Sequence, residues 1–146
     1  MSVTMRRTLD QQRMYAWNMA VRGAELEQQR RRVARAVARL GGDSKAVEVA
    51  RLGASELLAN VIAHAGDARC RIAVADGGSD ISIRVYDTSC CVPAITTPDW
   101  DAESGRGLWL LGQMATGQGY VLVDEPPWRK WVWFGVPKVC PIEDLE

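Results

Sequence analysis

The sequence predicts an α+β fold: a two-layer sandwich with a mixed, mainly antiparallel sheet and helices on one face. Three observations point there. Residues 24–65 carry apolar positions at helical spacing, residues 69–87 alternate on both sides of a glycine turn, and residues 120–136 read as two more strands around a Glu-Pro-Pro turn after a long stretch without any period. At 146 residues the chain has the size of one domain, read as spanning 1–146 with loose ends at 1–11 and 141–146. Hydrophobic residues make up 47% and charged residues 25%, enough for a core without staples.

The elements follow in order. Residues 1–11 are polar. Arg13 to Ala20 alternates as a first strand, with Tyr15, Trp17 and Met19 on one side, and Gly23 breaks it. Residues 24–40 form a first helix with Leu26, Val33, Val37 and Leu40 as its apolar stripe, closed by Gly41-Gly42 as a left-handed cap. Asp43 or Ser44 caps a second helix that runs to about Ala65. Gly53 inside it costs about 1 kcal/mol against alanine, which argues against one unbroken helix. Strands over 69–75 and 81–87 flank Asp76-Gly77-Gly78-Ser79 as a hairpin turn. Residues 88–107, with Pro93, Pro98, Gly105 and Gly107, read as a long irregular loop of functional kind. A short helix over Leu108 to Ala115, a strand over Tyr120 to Val123 and a last strand over Trp128 to Val136 complete the chain.

Charge and cysteines limit the function classes. Eighteen basic and eighteen acidic residues give a formal net charge of zero, so neither nucleic acid nor an anionic membrane is an expected direct partner. No run of about 18 apolar residues predicts a membrane span, and the first twenty residues lack a signal-type apolar segment. Cys70, Cys90, Cys91 and Cys140 form no CxxC pair, and the single His64 completes no zinc spacing. The cysteines are read as reduced and the compartment as cytoplasmic.

Three groups of residues carry the chemistry. Glu56, Asn60 and His64 stand four residues apart on the second helix, so they share one face. A carboxylate, an amide oxygen and an imidazole there can hold a metal ion and a reacting proton, or form the polar edge of an amphipathic helix. Asp87 ends a strand and enters the loop, where it can accept a hydrogen bond from an amine or cap the Asp-Thr-Ser turn. Glu103-Ser104-Gly105-Arg106-Gly107-Leu108 leads into a helix, so its backbone N–H groups can cradle an anion and Arg106 can reach a phosphate; a plain flexible loop is the alternative.

In this order the three groups resemble the GHKL (Bergerat-fold) ATP-binding domains of gyrase, chaperone and histidine-kinase type. The likeness spans roughly residues 24–136 and looks most like the small anti-sigma-factor serine kinases, including short actinobacterial ATP-binding proteins. E-L-L-A-N-V-I-A-H is similar to the N box, V-Y-D-T-S to the adenine-binding aspartate box and E-S-G-R-G-L-W-L-L to the glycine box. The resemblance implies ATP and Mg²⁺ as cofactors. It makes Asn60 the Mg²⁺ ligand, Glu56 the general base and Asp87 the partner of the adenine amine. Ser89 follows in the aspartate box, His64 lies near the nucleotide, and Gly105, Arg106, Gly107 and Leu108 wrap the phosphates beneath a lid over 88–106. Two positions depart from the family pattern: Ala59 stands where a threonine is frequent, and Trp109 where a hydroxyl residue is frequent.

The expected function is a Mg-ATP-binding regulatory protein: a serine kinase that phosphorylates a small antagonist protein, sequesters a sigma factor and forms a homodimer. The alternative is a non-catalytic interaction module whose lid is switched by ATP. Arg30, Arg31, Arg32, Arg35 and Arg39 give the first helix a basic face, which is either a partner surface or a solvated one near Glu25 and Glu27. Trp128, Trp131, Trp133 and Phe134 are read as packing of the last strand, with Trp131 and Trp133 on one side and Trp128 on the other. Cys90 and Cys91 in the lid are candidate redox sensors.

Overall fold

The computed structural model describes residues 4–7, 13–64, 69–89 and 112–139. These build one six-stranded sheet with two helices on one face. Strands β1 (Thr4–Arg7), β2 (Arg13–Ala20), β3 (Arg69–Asp76), β4 (Asp80–Asp87), β5 (Gly117–Glu125) and β6 (Trp128–Pro137) lie in the order β1-β2-β3-β4-β6-β5. Every pairing is antiparallel, so the expected mixed sheet is antiparallel throughout its described pairs. Residues 4–7, expected to be loose, form an edge strand against Arg13–Ala16. Thr-Met-Arg-Arg is too short for an alternation to register, and its backbone pairing is supplied by β2.

After a short 3-10 turn (Gly23–Glu25), α1 runs over Leu26–Arg39. Its end is a Schellman motif: Gly42 N–H donates to Val37 O (2.9 Å), Gly41 N–H to Ala38 O (3.1 Å), and Gly41 takes φ +99°. Asp43 is the residue that caps α2 (Ser44–His64), its Oδ1 accepting from Ala46 N–H at 2.8 Å. Helix α2 is unbroken through Gly53. A Cβ there would lie 2.3 Å from Phe134 Cζ, so the glycine lets the helix backbone seat directly on the Phe134 ring.

Alternation decides the two faces of the sheet. Tyr15, Trp17 and Met19 of β2, Cys70, Ile72 and Val74 of β3, Ile81, Ile83 and Val85 of β4, and Val132, Phe134 and Val136 of β6 are buried under the helices. Val33, Val37 and Leu40 of α1 and Ala50, Ala54, Leu57, Leu58 and Val61 of α2 close the same core. Gln29, absent from the expected apolar stripe, is buried because its Oε1 accepts from Trp17 Nε1 at 3.0 Å. The opposite face carries Tyr86, Trp131 and arginines: Arg71 lies over Tyr86 and Trp128, and Arg84 over Trp131. Trp128, expected on the other side from Trp131, has its ring 6.4 Å from that of Tyr86, with which Trp131 also packs.

Strand β5 starts at Gly117, earlier than the expected Tyr120. Gly117-Gln118-Gly119 has no strand-forming composition. Its two glycines instead make room for the Trp133 indole, which a Cβ at either would approach to 3.2 Å. Residues 112–114 are helical; the remainder of the short helix expected at 108–115, apart from Ala115, lies outside the described residues. The basic face of α1 is tied down in part. Glu27 meets Arg30 at 2.7 Å, Arg51 at 2.9 Å and Arg31 at 3.4 Å, and Arg32 lies over the Trp17 ring.

Candidate functional site

The hairpin at 77–79 aligns β4 so that Asp87 ends the strand on the buried, helix-covered side. Gly78 takes φ +94° and donates to Asp76 Oδ1 (2.9 Å), while Gly77 N–H donates to Asp80 O (2.8 Å). Counting in steps of two from Ile81 reaches Ile83, Val85 and then Asp87, which is 5% exposed.

Asp87 is not an isolated carboxylate. Lys130 lies directly opposite it in the β4–β6 register and is equally buried, at 4% exposure. Its Nζ donates to Asp87 Oδ1 at 2.9 Å and to Ser89 O at 3.0 Å. Ser89 N–H donates to the same Oδ1 at 2.9 Å, so the turn-capping role of Asp87 is realised alongside the ion pair. Cys70 faces Asp87 across β3 and β4. Burial, and secondarily the Asp87 charge, push its thiol up to about 12, so it stays protonated at neutral pH.

Helix α2 approaches the same end of the sheet. Asp43 N–H donates to Lys138 O (2.8 Å), which sets the start of the helix beside the end of β6. From there to the Gly53–Phe134 contact the helix rises about 15 Å and the strand runs about 13 Å, so the two advance together in opposite chain directions. A further ~10 Å of helix brings Asn60 to about the level of Trp131 and Lys130.

The flanks of α2 divide by charge partner. Arg51 and Ser55 face α1, through Glu27 at 2.9 Å and Arg30 at 3.4 Å. Glu56 and Asn60 occupy the other flank, near the direction of Gly53, and both are half-buried. Beyond them β5 presents Tyr120 and Leu122 on the helix side, opposite Val132 and Lys130, and both are exposed. The α2 flank, the Asp87–Lys130 end of the sheet and the helix side of β5 therefore bound one region.

Within it Glu56, Asn60, Asp87 and Ser89 are described. His64 is the last residue of α2, but its side chain lies outside the described residues. Gly105, Arg106, Gly107, Leu108, Trp109, Cys90 and Cys91 also lie outside them. Lys130 is the residue that sequence reasoning missed. Its signal was parity: Lys130 falls in step with Val132, Phe134 and Val136, a charged residue on the apolar side of a strand.

The donor set suits a magnesium nucleotide. An amide oxygen at Asn60 and a carboxylate at Glu56, one helical turn apart and both partly open, are hard oxygen donors. Among the described residues no group of three or more His, Cys, Asp or Glu is gathered as a protein-only metal cage, and none of the described helices is long and apolar enough to cross a membrane. No curated protein matches the chain. A family model for the histidine kinase-like ATPase domain matches residues 19–124, from the end of β2 into β5, and so takes in α2, Asp87 and the segment that follows it. Domains of this kind bind ATP, usually with Mg²⁺. By that match, and with an α+β architecture that agrees with it, the chain belongs to the histidine kinase-like ATPase family.

Proposed function

We propose that the chain is a Mg-ATP-binding regulatory protein of the anti-sigma-factor serine kinase type, acting as a homodimer on a sigma factor and a small antagonist protein. The observation that carries the reading is the common position of Glu56 and Asn60. They share the flank of α2 turned away from α1, at the level where Asp87 ends β4.

In this reading the Asn60 amide oxygen holds Mg²⁺, and Asp87 accepts a hydrogen bond from the adenine amine. Bound Mg²⁺ supplies neutralisation of charge on the phosphates. Glu56 takes the proton from the serine hydroxyl of the antagonist as that oxygen attacks the terminal phosphorus, and ADP leaves. Gly105, Arg106 and Gly107 would contact the phosphates, Ser89 and Leu108 would border the nucleotide and His64 would stand near it, as the resemblance implies; of these, only Ser89 has its side chain among the described residues. The reading places the protein in the cytoplasm with its cysteines reduced; Cys70 is a free, buried cysteine.

The second reading is a non-catalytic module that binds ATP and switches a protein-binding surface. Ala59 favours it: the residue before Asn60 is exposed and carries no hydroxyl. Calorimetric titration of ATP with and without Mg²⁺, then phosphate transfer to candidate antagonists, separates the two. The kinase reading expects Mg-dependent binding abolished in Asn60→Ala. It also expects Glu56→Gln to bind ATP while transferring phosphate at least ~100-fold more slowly. ATP binding without transfer by the wild type, with Glu56→Gln unchanged in partner binding, gives the second reading instead.

A further inference from the structure

A lysine 4% exposed on the apolar side of a central strand needs an explanation. Desolvating an ammonium and a carboxylate costs several kcal/mol each, and an apolar pair in their place is frequently as stable or more so. Stability alone therefore does not account for Lys130 opposite Asp87. The pair sits where β4 ends, beside the level reached by Asn60, and so at the base end of the proposed nucleotide site.

The hydrogen-bond inventory is specific. An ammonium has three donors. Lys130 uses two, to Asp87 Oδ1 (2.9 Å) and Ser89 O (3.0 Å), which leaves one for a ligand. A carboxylate and an ammonium side by side present an acceptor and a donor a hydrogen-bond length apart. Adenine has the complementary pair on adjacent positions of its ring edge: the 6-amino group donates and N1 accepts. A lone carboxylate reads only the amine.

We propose that Lys130 is a second base-reading residue, whose ammonium donates to N1 of adenine while Asp87 accepts from the 6-amino group. The inference rests on the reading of Asp87 as the adenine partner and extends it to a residue on β6. Lys130 also donates to the backbone carbonyl of Ser89, where the chain leaves the sheet.

The test compares ATP with 1-deaza-ATP, in which N1 is replaced by C–H and the 6-amino group is retained. Binding of both to the wild type, Lys130→Met, Lys130→Gln and Asp87→Asn is measured by calorimetry, with folding checked by circular dichroism. The expected result is a wild-type preference for ATP of about tenfold or more, the size of a hydrogen bond from a charged donor. That preference collapses to within about twofold in Lys130→Met and persists in part in Lys130→Gln, which keeps a donor. Equal wild-type binding of the two nucleotides, with Asp87→Asn still weakening ATP, overturns the role of Lys130 and leaves that of Asp87 standing. So does a preference that survives in folded Lys130→Met. Absence of ATP binding, or binding indifferent to Asp87→Asn, overturns the base-site reading itself. Where Lys130→Met does not fold, Lys130→Gln carries the comparison: a preference for ATP undiminished from the wild type in folded Lys130→Gln overturns the role of Lys130.

Discussion

Gly53→Ala is a substitution whose sign differs between an exposed helix and this one. In a solvated helix interior alanine gains about 1 kcal/mol over glycine. Here the added methyl would lie 2.3 Å from Phe134 Cζ and 2.6 Å from Cε1 and Cε2. Phe134 is fully buried beneath the helix layer, with Ile83 beside it in the β4–β6 register. Overpacking of this kind costs about 1–3 kcal/mol, and an overlap with rigid ring carbons belongs at the upper end. The net expectation is a loss of about 2 kcal/mol, or a fall in Tm of roughly 6 °C for a chain of this size. Urea denaturation monitored by circular dichroism reads the first quantity and thermal melting the second. Phe134→Leu relieves the overlap, so the double variant should be less destabilised than the sum of the singles, with a coupling of about 1–2 kcal/mol. A Gly53→Ala protein as stable as the wild type or more so would refute the close seating of α2 on β6. The shared level of Asn60 and Asp87 would fall with it.

Further predictions concern the core and its titrating groups. Gln29→Leu should destabilise by about 1–3 kcal/mol in urea titrations, because it strands the Trp17 indole N–H in the core; a loss within 0.5 kcal/mol counts against the bond. Asp76 has its carboxyl held low, first by the hydrogen bond from Lys138 Nζ (2.7 Å) and then by Gly78 N–H. Its contribution is present above the ordinary carboxylate range and is lost as pH falls through the depressed value. Asp76→Asn should therefore lower stability by up to about 1 kcal/mol at neutral pH and converge with the wild type in acid, as pH-dependent urea midpoints would record. The Cys70 thiol, pushed up to about 12, should escape iodoacetamide at pH 8 in the native protein and react after denaturation, with peptide mass spectrometry as the readout. Labelling of native Cys70 would mean that this end of the β3–β4 pair opens readily.

Most of the architecture was legible because its elements obey one period each. Strands β3 and β4 alternate cleanly around a glycine turn, and α1 ends in two glycines that form the cap expected of them. The failures share a cause: each depends on a partner distant in sequence. Gly53 reads as a weak point of α2 until Phe134, from the last strand, is seen beneath it. The start of β5 is hidden because its glycines answer to Trp133 rather than to strand propensity. Thr4–Arg7 becomes a strand only through β2. In the candidate site, the shared face of Glu56 and Asn60 follows from helical spacing alone. The neighbour of Asp87 does not: Lys130 is 43 residues away and meets it only through the β4–β6 register.

The arginine-and-aromatic face of the sheet has a consequence for how the protein can be observed. Three rings on that side, Tyr86, Trp128 and Trp131, lie within 4.9 to 5.7 Å of a guanidinium carbon from Arg71 or Arg84. Free guanidinium ions offer the same planar cation to the same rings, whereas urea is uncharged. In guanidinium chloride the tryptophan emission should therefore drift before the chain unfolds, as solute cations exchange with the side chains. In urea the native baseline should stay flat. The choice of denaturant thus becomes a probe of one surface of the molecule, read through fluorophores the chain already carries.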